Sequence, residues 1–279
     1  MVMPKVKYRG KNKFDEFLSA ATTISGKISK IEGVVGILAT GGLGRGFCED
    51  HSDIDLIVYA DKDKVREIGK YIAVGVRYKG IDLDTPVVSY QMARDQKSPS
   101  RYWSQTMRWD RSNSSIMFDT RNRIRDMLKE KLVFPDSEQK RLLGKYRWAV
   151  EEYLVYNSET LERRGNLVNV SHALMHATEN IILWIYAKNR RFQPYTPKWL
   201  FYHLENGFVP ESRHMRTLQR PFLGPVKTVE QARAIRAELI GLCDKIGLRF
   251  KYRSVDEIFG TGDEKWGIAS EKTKYYLSW

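Results

Sequence analysis

One stretch constrains what this chain can fold into more than any other: residues 41–56, GGLGRGFCEDHSDIDL. An apolar run, VVGILA at 34–39, leads into it, and a second, IDLIVYA at 54–60, leads out. Two buried strands joined through a glycine-rich corner produce that pattern. Gly41, Gly42, Gly44 and Gly46 permit positive φ angles and leave main-chain N–H groups uncovered, the makings of an anion-binding nest. Asp53 and Asp55 stand two apart at the start of the second strand, so the strand period of two turns both carboxylates to one face.

Amides and the Arg45 guanidinium suit phosphate oxygens, and hard carboxylate oxygens suit a divalent cation. Together they answer to a Mg²⁺–nucleoside triphosphate complex. Gly41-Gly42, ten residues, then Asp53-Ile54-Asp55 resembles the signature of the DNA polymerase beta nucleotidyltransferase superfamily. The fuller string Gly-Gly-Leu-Gly-Arg-Gly…Ser-Asp-Ile-Asp-Leu is similar to that of its small-substrate branch, which includes the aminoglycoside and lincosamide nucleotidyltransferases. Glycine at 42 replaces the Ser commoner in that branch, which removes one hydroxyl contact to phosphate.

The resemblance implies an α/β (α+β) architecture: a nucleotidyltransferase fold with a mixed β-sheet flanked by helices over residues 1–135, then an all-α bundle over 136–279 that binds the acceptor. It implies two Mg²⁺ ions, with Mn²⁺ as a substitute, held by Asp53, Asp55 and a third acid, Asp84 or Asp82, and an NTP, ATP in the first instance, as substrate. The glycine corner, Arg45 and Ser52 would then fix the triphosphate. The superfamily adds a third carboxylate from a neighbouring strand. Residues 80–90 read as that strand, after a strand at 73–78 and a Lys79-Gly80 turn, and they carry Ile81-Asp82-Leu83-Asp84. Asp82 fits the apolar-acid-apolar triplet, while Asp84 fits the distance to the following turn. Both point to one face, so the sequence leaves the choice open. Chemically, such an acid completes a metal set or takes the proton of an attacking hydroxyl.

Helical periodicity marks residues 14–31, with apolar positions at Phe14, Phe17, Leu18, Ala21, Ile24 and Ile28. Further helices are expected at 61–71, 100–109 and 120–133, with a last strand at 115–119, before Phe134-Pro135-Asp136 breaks the pattern. Beyond it, 137–164 reads as one long helix, 166–188 as a more apolar central one, and 228–245 as a third with Thr228 and Gln231 at capping-box spacing. Lys198, just after Pro197 at an expected helix start, is a candidate for the triphosphate; Trp199 beside it reads as packing. His172, His176 and Glu179 fall at i, i+4 and i+7, roughly one helix face. Two histidines so spaced suit a metal, but no Glu follows the first as in a zinc protease. Glu179 is the candidate for contacting or deprotonating the acceptor.

Charge bears on partners. The chain of 279 residues carries 47 Lys+Arg against 34 Asp+Glu, a net +13 spread along its length. That excess favours polyanions such as RNA, whereas the two-domain layout suits a small hydroxylated acceptor; a protein hydroxyl is a third class. A non-catalytic nucleotide- or RNA-binding module, or an antitoxin-like partner on the same fold, is the alternative to an enzyme. Its 42% hydrophobic content supports a packed core. Two cysteines, Cys48 and Cys243, lack metal-ligand spacing and suggest no disulfide framework. Residues 1–13 are basic and polar without an apolar core, and no run approaches the ~18 apolar residues of a membrane span. The expectation is a cytoplasmic chain, with a homodimer as one form it could take.

Overall fold

The two apolar runs pair as antiparallel strands, and a sheet grows outward from them. In the computed structural model, which describes residues 11–72, 77–97, 99–100 and 102–259, β1 (Val34–Ala39) lies beside β2 (Ile54–Ala60) with Ala39 opposite Leu56. The chain divides into two compact units: Met1–Phe134 with Phe192–Trp199, and Pro135–Arg191 with Leu200–Trp279. Phe192–Trp199, placed by sequence within the 136–279 half, thus belongs to the first unit.

In that unit the sheet continues with β3 (Arg77–Tyr78), β4 (Ile81–Asp84), β5 (Val87–Ser89) and β6 (Ser115–Asp119). The order is β3-β4-β2-β1-β6, with β5 also on β2. β1 is antiparallel to β2 and β6, while β4 and β5 run parallel to β2, so the sheet is mixed, as expected. The strand expected at 80–90 arrives in two pieces because Thr85-Pro86 interrupts it. Proline has no N–H to give the ladder, although the Pro86 carbonyl still accepts from the Val58 N–H at 3.0 Å. The pairing stays in step across the break, Ile54 with Leu83 and Val58 with Val87. Of the strand expected at 73–78, residues 73–76 lie outside the described residues.

Helices α1 (Phe14–Ile28), α2 (Gly41–Arg45), α3 (Val65–Tyr71), α4 (Tyr90–Asp95), α5 (Gln105–Ser112) and α6 (Arg123–Lys131) complete the unit. α5 begins later than expected because Ser104 caps it, its hydroxyl accepting from the Met107 N–H at 3.3 Å. β1 is buried along its whole length, which requires cover on both faces. One core joins Phe17, Ala21, Ile24 and Ile28 of α1 to Ile37, Ile54, Leu56 and Val58. The other joins Val35, Leu38 and Tyr59 to Trp103, Ile124, Met127 and Leu128. Each large apolar side chain so buried contributes about 1.5–3 kcal/mol, which is what fixes β1 and β2 as a rigid floor. Near the unit's end the peptide Thr196–Pro197 is cis, and turns run through residues 196–201, so Lys198 stands in a turn and not in the expected helix.

The second unit is helical, as expected: α7 (Asp136–Val150), α8 (Ser158–Arg163), α9 (Leu167–Lys188), α10 (Tyr202–Glu205), α11 (Met215–Gln219), α12 (Val229–Ile246) and α13 (Val255–Phe259). A π-helical turn, Glu151–Asn157, joins α7 to α8 where one long α-helix is expected. α9 is the apolar centre, with Ala177, Ile181, Ile182 and Ile185 fully buried. Thr228 caps α12 as its spacing suggests, accepting from the Gln231 N–H at 3.1 Å. Buried carboxylates are compensated: Glu151 accepts from the Tyr252 N–H at 2.7 Å, and Glu162 meets Arg233 at 2.6 Å and Arg236 at 2.9 Å. Both cysteines are free and buried, and among the described residues no helix is long and apolar enough to cross a membrane.

Candidate active site

Parallel pairing of β4 with β2 decides which acids meet. Asp55 stands directly opposite Asp84 in that ladder, and Asp53 immediately precedes β2. All three line a cleft of about 480 Å³ in the first unit, together with Thr40, Gly41, Arg45, Asp110, Tyr195, Lys198 and Trp199. Asp82 does not line it. Its carboxylate accepts from the Arg77 Nε at 2.6 Å on the exposed side of the β3–β4 hairpin. By register, then, Asp84 shares the cleft with Asp55 and Asp82 does not.

The glycines divide in the same way. Gly41 has φ +56°, and a Cβ there would fall 1.7 Å from Asp55 Oδ2, so the carboxylate rests directly on a residue without a side chain. Gly42 and Gly44 lie inside the turn of α2, where close packing leaves no room for a side chain. A Cβ on Gly44 would meet the Asn113 carbonyl oxygen at 2.3 Å. Gly46 closes α2 in the left-handed conformation. Neither these three glycines nor Ser52 lines the cleft; the Ser52 hydroxyl accepts from the Glu49 N–H at 2.9 Å, within its own turn. Glu179 is on α9 of the second unit, its carboxylate 3.6 Å from His176 Nδ1.

Electrostatics set the cleft's character. Burial, then repulsion from Asp53, Asp110 and Asp84, pushes the Asp55 carboxyl up to about 6, against the pull of Arg45. Asp110, on α5, is raised by burial too, with Arg45, Arg111 and a hydrogen bond from the Gly41 N–H pulling it back. Arg45 is buried, 3.8 Å from the Asp110 carboxylate, with its guanidinium 4.2 Å from the centre of the Trp199 ring and 5.2 Å from that of Trp109. Tyr195 meets Trp109 edge-on at 6.1 Å, and the Trp199 N–H donates to the Tyr195 carbonyl at 2.8 Å, which steadies the aromatic wall.

Sequence reasoning missed Asp110, and it read Trp199 as packing although its ring lines the cleft. Asp110 sits mid-helix between Trp109 and Arg111, where an acid ordinarily faces solvent; no spacing rule ties it to Asp55. Cys48 nearby is buried, and that burial pushes its thiol up to about 12, away from the thiolate form.

Among the described residues no group of three or more His, Cys, Asp or Glu side chains is drawn together closely enough to hold a metal ion as it stands. The chemistry of the set nevertheless suits a hard divalent cation. Asp53, Asp55 and Asp84 bring oxygen donors to one cleft, and their mutual repulsion is what a bound cation relieves.

A family model described as a domain of unknown function (DUF4037) matches residues 105–200, the stretch holding Asp110, Tyr195, Lys198 and Trp199. No curated protein matches the chain. Among solved structures, the chain has a weak structural similarity to a nucleotidyltransferase-like protein from Exiguobacterium sibiricum 255-15, at 14% identity and a TM-score of 0.45, over 93% of this chain and 86% of that one.

Proposed function

We propose that the chain is a nucleotidyltransferase, which moves a nucleoside monophosphate from an NTP, ATP first, to a hydroxyl of an acceptor and releases pyrophosphate. The observation that carries this reading is the meeting of Asp53, Asp55 and Asp84 in one cleft with Arg45 and Lys198. The three carboxylates would hold Mg²⁺, whose chemistry when bound is to polarise phosphate oxygens and neutralise developing charge. Arg45 and Lys198 supply positive charge for the phosphate chain, and the aromatic wall around Arg45 holds its guanidinium in one orientation. The acceptor oxygen bonds to the α-phosphorus, the α–β bridging P–O bond breaks, and its electron pair leaves with pyrophosphate. Asp84, the more exposed of the β-strand pair, takes the hydroxyl proton.

The test incubates the protein with Mg²⁺ and α-labelled nucleotides, in parallel with RNA, with aminoglycosides and without acceptor. The net charge of +13 makes RNA the first arm and the small hydroxylated molecule the second, with a protein hydroxyl as the third. Label transfer abolished by Asp53→Asn supports the enzyme. RNA or nucleotide binding without transfer, indifferent to Asp53→Asn, supports instead a non-catalytic binding module. The two β4 acids give a sharper comparison. Asp84→Asn is expected to lower kcat about a hundredfold or more, while Asp82→Asn stays within about threefold, because its exposed ion pair with Arg77 is worth little. Steady-state kinetics on both variants checks this, and equal losses would place the third carboxylate wrongly.

A further inference from the structure

His172 and His176, on α9 of the second unit, play no part in the reaction above. They hold their Nε2 atoms 3.0 Å apart, with ring centroids 4.3 Å apart and planes at 77°. Two metal–nitrogen bonds of ~2.0–2.1 Å spanning that distance subtend an angle of roughly 95°, near the value between neighbouring ligands in octahedral and square-planar sites. In the metal-free pair a single proton bridges the two nitrogens, one ring donating and the other accepting. A cation bound by both nitrogens displaces that proton and sits to one side of the line between them.

Neighbouring groups hold the pair in this arrangement. Glu179 lies 3.6 Å from His176 Nδ1, which favours the tautomer with hydrogen on Nδ1 and a lone pair on Nε2. The ring of Tyr153 stacks on His176 at 5.2 Å and 26°, limiting its rotation. Tyr153 belongs to the π-helical turn, and such turns recur at functional sites. The site is also reachable: His172 is exposed, and the His176 side chain is 38% exposed.

We propose that His172 and His176 form a two-nitrogen chelate for a divalent transition metal, Cu²⁺ more strongly than Ni²⁺ or Zn²⁺, with Glu179 orienting His176 from behind. Two protein donors leave the remaining positions to solvent or to a donor from a bound molecule.

The experiment uses the full chain, stripped by a chelator and titrated with Cu²⁺ alone, read by calorimetry and by electron paramagnetic resonance. Expected are one tight ion per chain and a spectrum split by two imidazole nitrogens. His172→Gln and His176→Gln each weaken that binding by about tenfold or more, and the double variant removes it; Asp55→Asn, in the other unit, leaves it in place. Since position 172 is exposed, its variant tests the chelate without disturbing packing, and circular dichroism of each metal-free variant verifies this. A Cu²⁺ affinity unchanged in both single variants, or a spectrum without coordinated imidazole, overturns the proposal.

Discussion

Replacing Asp55 by asparagine is expected to do two opposite things: abolish nucleotidyl transfer and stabilise the protein. On the proposed reaction, losing one of three anionic donors removes about 4 kcal/mol or more of transition-state stabilisation, a drop in kcat of about a thousandfold. Stability moves the other way because the carboxyl is raised, to about 6, by burial and by Asp53, Asp110 and Asp84. A folded-state value above the unfolded one means that the native state binds the proton more tightly. Its contribution is therefore fully present below about pH 4 and is lost as pH rises through about 6. At pH 7.5 the wild-type fold carries that ionisation cost, on the order of 1–3 kcal/mol, and the neutral amide does not. Thermal melts of both proteins from pH 4 to pH 8 should show the Asp55→Asn variant ahead at neutral pH and the gap closing as pH falls. A variant less stable than wild type at pH 7.5 would mean that Asp55 is satisfied by partners rather than strained by its neighbours.

The second large effect is on folding. Gly44→Ala places a methyl 2.3 Å from the Asn113 carbonyl oxygen and 3.3 Å from that of Ala39, both main-chain atoms with little room to move. The expected cost is about 3 kcal/mol, a fall of roughly 10 °C in the melting midpoint. Gly46→Ala, two residues on, makes the control. Nothing lies within 4 Å of its added Cβ, so only the φ of +79° is penalised, at about 1 kcal/mol. Equal Tm shifts in the two variants would contradict the close approach of α2 to the Asn113 backbone.

The glycine corner also shows what sequence could and could not disclose. Val34–Ala39 and Ile54–Ala60 were legible as strands because their burial is written as unbroken apolar runs. Asp53 and Asp55 were legible as neighbours because strand geometry is local. The close packing at Gly42 and Gly44 was not, since a glycine needed for close packing looks the same as one needed for an anion cradle. Asp82 and Asp84 share a face in any strand, and only the pairing of β4 with β2, a contact between distant residues, separates them. Likewise nothing local ties Asp110 to Arg45, or returns Phe192–Trp199 to the first unit. The π-helical turn left no trace in the periodicity either, since its apolar residues fit an α-helix nearly as well.

The carboxylate of Asp110 takes the Gly41 amide and faces Arg45 from the same chain. An anion arriving from solution at that guanidinium competes with a tethered rival whose local concentration no dilution lowers. On the proposed reaction, singly charged visitors such as acetate or chloride would gain little by the exchange, whereas a molecule with several linked phosphates would engage Lys198 as well and displace it. Discrimination by valence would then be a property of the resting protein, in force before any acceptor is met.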